Sequence, residues 1–75
     1  MDRISFHTYK YSIYQLSIIT DRVKIKRIIR YAEEVAQRPF HEDDIRQINI
    51  ALTELNCTTL EDGSYDISNA SKFIP

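Results

Sequence analysis

The sequence predicts a small α+β domain of order β–α–α–β–β. An antiparallel sheet, made of an N-terminal strand and a C-terminal hairpin, is expected to pack on a two-helix hairpin. Three observations predict it. Residues 3–19, RISFHTYKYSIYQLSII, are rich in Ile, Tyr, Phe and Thr and hold neither Gly nor Pro, which is a strand composition. Residues 22–37, RVKIKRIIRYAEEVAQ, place Ile25, Ile28, Ile29, Ala32, Val35 and Ala36 at spacings of three and four, the stripe of an amphipathic helix. Asp62-Gly63, which contains the one glycine of the chain, lies between two alternating runs and reads as a hairpin turn.

The N-terminal strand has a fault in its alternation. Ile4 and Phe6 share one face, Tyr9, Tyr11 and Ile13 the other, and Tyr14, Leu16 and Ile18 return to the first. A one-residue slip exchanges the two faces, so a bulge or bend is expected near residues 8–12. Length requires the same. Residues 3–19 fully extended would reach roughly 55 Å, whereas a domain of this size has a radius of gyration near ~11 Å. The segment is therefore expected as a bent strand, as a split hairpin or as an arm laid on a partner. A helical start over 13–19 is the weaker alternative, because β-branched residues are stiff there.

Thr20 and Asp21 supply a capping oxygen and a first-turn acid, so the first helix is expected over 21–38, with Pro39 ending it. The second is expected over 41–56. Glu42, Asp43 and Asp44 sit in its first turn, where the helix dipole favours acids. With His41 as the cap, Phe40 and Ile45 take the positions of a hydrophobic staple. Ile45, Ile48, Ala51, Leu52 and Leu55 point inward, and the short linker predicts a helical hairpin. In the β-hairpin, residues 57–67, a two-residue turn at Asp62-Gly63 pairs Leu60 with Tyr65 and Thr58 with Ile67. The tail, 68–75, is expected to fray, with Phe73 and Ile74 as its anchors.

Seventy-five residues make a single domain, 1–75, whose core contributes no more than roughly 3–5 kcal/mol. One cysteine, Cys57, allows no internal disulfide, and His7 and His41 with it fall short of a zinc set. No metal and no cofactor are expected, and a homo-oligomer is the remaining route to stability. The chain shows no leader after Met1 and no apolar run of membrane length, so a cytoplasmic protein without membrane contact is expected. The net charge of −1 is uneven: residues 1–30 hold seven basic groups against Asp2 and Asp21, and residues 31–75 hold three against nine acids. Such asymmetry marks a surface for nucleic acid or an acidic partner, or a route to self-association, or two ordinary solvated faces.

No residue is nominated as catalytic. Cys57 has no base near it in sequence, the acids of 42–44 are explained by the helix start, and a single glycine makes no phosphate-binding loop. An enzyme is not expected. Arg22, Lys24, Lys26, Arg27 and Arg30, with Lys10, are the candidates for contact with a partner or nucleic acid. Val23 and Ile50 fall on polar helix faces and, with Tyr9 and Tyr11, are the candidates for self-association. The expected function is a small non-enzymatic regulator or inhibitor acting through protein–protein contacts as a homodimer. The alternative is a nucleic-acid-binding regulator using the basic first helix. Two helices and a hairpin could resemble a helix-turn-helix with a wing, but three acids open its second helix and Glu61, Asp62 and Asp66 its wing. A pI near 6.1 also departs from that of nucleic-acid binders. A single-strand variant would use Tyr9, Lys10, Tyr11 and Tyr14.

Overall fold

Residues 6–19 form a helix rather than a strand in the computed structural model, which describes residues 3–73. Ser5 starts it: its Oγ accepts the Thr8 N–H at 3.2 Å, and its carbonyl accepts the Tyr9 N–H. Along this helix, α1 (Phe6–Ile19), Tyr9, Ser12, Ile13 and Leu16 are buried. Their spacings of three, one and three are those of a helix. The fault in the alternation was this helical period read on a strand template. The balance of energies is clear. Poor helix propensity costs a few tenths of a kcal/mol per residue, while complete burial of Ile13 or Leu16 contributes about 1.5–3 kcal/mol each. As a helix the segment spans ~21 Å, which fits a body 32 Å in its longest extent with a radius of gyration of 11.3 Å.

Thr20 ends α1 in an extended conformation, with its N–H still donating to the Leu16 carbonyl. It does not start the next helix. The chain first forms β1 (Arg22–Val23), because Val23 is drawn into the core and pairs with Tyr65. Helix α2 (Ile25–Ala36) therefore begins four residues later than the sequence predicts. It closes at Gln37, whose left-handed backbone (φ 56°) lets the Arg38 N–H reach the Glu33 carbonyl.

Before α3 (Asp44–Glu54) the chain makes one tight turn, with the Asp44 N–H on the His41 carbonyl at 2.8 Å. The Asp44 carboxylate accepts the His41 N–H in return at 3.2 Å, so His41 opens the turn, while the cap position itself falls to Asp43 and the helix starts at Asp44, three residues later than expected. At the far end Asn56 takes the left-handed conformation (φ 58°) and the Cys57 N–H donates to the Leu52 carbonyl.

The hairpin joins β2 (Thr58–Thr59) to β3 (Tyr65–Asp66), one residue out of the expected register: Thr58 faces Asp66 and Thr59 faces Tyr65. The loop is longer than a two-residue turn. The Gly63 N–H closes a turn on the Leu60 carbonyl, Gly63 itself has φ 86°, and the Leu60 N–H then meets the Ser64 carbonyl. This is a three-residue hairpin whose last position needs positive φ. Asp62 fixes it, accepting from both the N–H and the hydroxyl of Ser64. The antiparallel sheet has the order β1-β3-β2, so a two-residue strand, not residues 3–19, completes it.

The molecule is thus a small α+β domain whose common packing partner is α1, which lies against both α2 and α3. The predicted pairing of two helices gives way to this arrangement because α1, with Tyr9, Ile13 and Leu16 fully buried, lies against both α2 and α3. Ile28, Ala32, Ile48, Ala51, Leu52 and Leu55 surround it, and Val23 and Ile67 tie the sheet to the same cluster. Two residues expected inward are exposed, Val35 at 46% and Ile45 at 37%. A short 3₁₀ turn at Ala70–Phe73 buries Ala70; the expected anchoring by Phe73 and Ile74 side chains lies outside the described residues.

Candidate functional site

The first acid of α3 is spent inside the molecule. Asp44 is buried, with its Oδ1 accepting from Arg3 Nη2 and its Oδ2 from the Tyr9 hydroxyl, each at 2.7 Å. Burial alone would raise its pKa. The hydrogen bonds from Arg3 and Tyr9 outweigh that and hold the carboxyl below its ordinary value. Burial, and then the bond to Asp44, pushes the Tyr9 phenol well above its usual range. The hydrogen bond to Asp44 raises Arg3 in turn. This anchor locks the start of α1 to the start of α3. Tyr9, a candidate for self-association, is therefore a core residue with no exposed surface.

Folding cancels much of the charge asymmetry in the sequence. Among the described residues, three ion pairs join the basic half to the acidic half: Arg3–Asp44 at 2.7 Å, Lys10–Glu54 at 3.1 Å and Arg22–Asp62 at 3.8 Å. Lys10 also sits 5.8 Å from the ring centre of Phe6. It belongs to the α1–α3 seam, apart from the other basic candidates. Asp62 and Asp66 are held below their ordinary values by the hydroxyls and N–H groups of Ser64 and Ser68. What survives is the outer side of α2. Lys26, Arg27 and Arg30 are exposed there, and no ion pair joins them to an acid among the described residues. Lys24, also exposed, precedes them as the cap residue.

A second surface lies on the outer side of α1. His7, Tyr11, Tyr14 and Ile18 follow one another at spacings of four, three and four, which stacks them on one side of a helix. Tyr11 is 48% exposed, Ile18 58% and the neighbouring Ile19 67%. Ile50 is exposed on α3 beside a shallow open groove that it shares with Ile45, Arg46, Asn49, Thr53 and Glu54. Of the four self-association candidates, Tyr11 and Ile50 are on the surface, while Tyr9 and Val23 are buried. Val23 is correct as an oddity among basic residues but wrong as a surface residue: it is the inward-facing residue of β1. Sequence reading missed Ile18 and Ile19, whose exposure follows only from a helical phase, and missed the burial of Asp44.

Cys57 is half-buried. Burial, and then the nearby Asp66, raises its thiol to about 11, so the reactive thiolate is scarce at neutral pH. Its Sγ donates weakly to the Leu55 carbonyl. Among the described residues no group of three His, Cys, Asp or Glu side chains is placed to hold a metal ion, and no helix is long and apolar enough to cross a membrane. No family model, curated protein or solved structure matches this chain.

Proposed function

We propose that the chain is a non-enzymatic regulator or inhibitor that acts through protein–protein contacts, as a homodimer joined along the outer side of α1. One observation carries this reading: a helix whose inner side is the centre of the core also exposes Tyr11, Ile18 and Ile19 to solvent. An apolar outer side costs solubility unless something covers it. Tyrosine with aliphatic residues is also the composition of an interface centre. A two-fold axis across α1 would set Tyr11 of one copy against Ile18 of the other, a self-complementary contact.

The order helix, strand, helix, helix, strand, strand, with β1 added to β3, resembles a helix-turn-helix with a wing, α3 taking the place of the groove-reading helix. Its chemistry favours a protein partner instead. Glu42 and Asp43 are exposed just before α3, and Glu61 and Asp62 at the hairpin tip, where a groove reader needs cations against phosphate. The α2–α3 connection, Gln37 to Asp43, also exceeds the 3–4-residue turn of that motif. Light scattering on the wild type and on Ile18→Glu tests the reading. A dimer at tens of micromolar that the variant converts to a folded monomer supports it; a monomeric wild type removes the dimer from it.

A further inference from the structure

We infer that the outer side of α2 is a second contact surface, separate from α1, for the sugar–phosphate backbone of a double-stranded nucleic acid, which it grips without reading sequence. Among the described residues, the fold leaves one set of cations unmatched. Arg3, Lys10 and Arg22 are each matched by an acid of the other half, whereas Lys26, Arg27 and Arg30 stand exposed within one and a half turns of α2 and are matched by none among the described residues. Positions 26, 27 and 30 fall on one side of the helix. Two of the three are arginines, whose planar forks suit phosphate oxygens.

The composition of this face selects the ligand. Protein interfaces have an apolar or aromatic centre, but the side of α2 that carries these cations exposes no apolar residue between them: its neighbours are Lys24 before and Glu34 after. A face of three cations, bounded by Glu34 one turn on, matches a ligand whose binding is electrostatic. Single strands need aromatic platforms on which bases stack. Tyr31, the one aromatic residue of α2, is half-buried, and the exposed tyrosine of α1 belongs to another surface. The single-strand set predicted from the sequence is dispersed, with Tyr9 buried and Lys10 paired to Glu54. A duplex backbone remains. The acids before α3 and at the hairpin tip keep those elements out of a groove, so the contact carries no base readout.

The experiment is fluorescence anisotropy with two unrelated 20-base-pair DNA duplexes, titrated with the full chain from 50 to 200 mM salt. Three phosphate contacts predict a log–log salt slope of about −3, a loss of about 40-fold in affinity over that range, and equal affinity for both duplexes. Arg27→Glu with Arg30→Glu should abolish binding, and Arg27→Lys with Arg30→Lys should keep the slope. Both variants change exposed side chains, and a wild-type circular dichroism spectrum verifies their folding. Absence of binding at 50 mM salt overturns the inference, as does wild-type binding by the glutamate variant. Tighter binding of a polyglutamate chain than of duplex at equal charge also overturns it, in favour of an acidic protein ligand. Ile18→Glu leaves this face intact, so failure here and failure of the α1 dimer are read separately.

Discussion

Helices α1 and α2 are built from opposite rules, although both pack on the same core. The inner side of α2 is apolar and its outer side carries Lys26, Arg27 and Arg30. α1 keeps polar groups inside, with the Tyr9 hydroxyl on Asp44 and the Ser12 hydroxyl on the Thr8 carbonyl, and places Tyr11, Ile18 and Ile19 outside. An amphipathic helix such as α2 needs only one neighbour. A helix apolar on two sides has room for two, and the described residues supply the inner one. The proposed contacts divide accordingly, a partner that excludes water at α1 and one that carries negative charge at α2.

The largest expected effect falls on the polar inside of α1. Asp44→Ala removes the acceptor of Arg3 and of the buried Tyr9 hydroxyl, and should destabilise the fold by about 3 kcal/mol, the lower end for a broken buried pair because Arg3 is partly exposed. Urea denaturation measures this. If Asp44→Ala proved neutral, α1 would be held by its apolar contacts alone and the contrast with α2 would narrow.

The same anchor predicts an acid response. The folded pKa of Asp44 lies below its unfolded value, so near and below pH 4 the unfolded state binds the extra proton. Stability from this group is complete above the unfolded pKa and is lost as pH falls through the folded one. The urea midpoint of the wild type should drop on titration from pH 5 to pH 2, and that of Asp44→Asn should drop less. Parallel curves would show that Asp44 titrates as an ordinary surface acid.

Outside both helices, Gly63 tests the hairpin that braces β1. It adopts φ 86° with open space where a side chain would sit, so Gly63→Ala should cost about 1 kcal/mol through backbone strain alone. Thermal unfolding reads it. No change would mean that the loop relaxes freely. The smallest effect on monomer stability is expected from the outer side of α1, where Ile18→Glu should stay within about 0.5 kcal/mol while altering association.

The sequence made α2 legible because its period is unopposed: apolar residues recur every three or four positions and, Tyr31 apart, the rest are charged. The same clarity located α3, and the Asp62-Gly63 turn located the hairpin, although its register moved by one residue because Asp62 bonds Ser64 and lengthens the loop. The first segment was illegible for the reason that makes it interesting. With Tyr11, Tyr14, Ile18 and Ile19 apolar on the outer side as well, no polar face marks the helical period, and composition alone spoke for a strand. Tyr9, Ile13 and Leu16 at spacings of four and three, together with Ser5 three residues before Thr8, were the signals available. Of the candidate contacts, the cations of α2 were legible from their phase. The fates of Lys10, Val23 and Tyr9 were not, since each depends on a partner 35 or more residues away, as in Tyr9–Asp44 and Lys10–Glu54.

Sedimentation equilibrium on the purified chain at tens of micromolar, with Ile18→Glu beside it, tests the central claim most directly. A dimer joined along α1 gives twice the chain mass for the wild type and a single chain mass for a folded Ile18→Glu. A wild type that sediments as one chain, or a variant that remains a dimer, would contradict it.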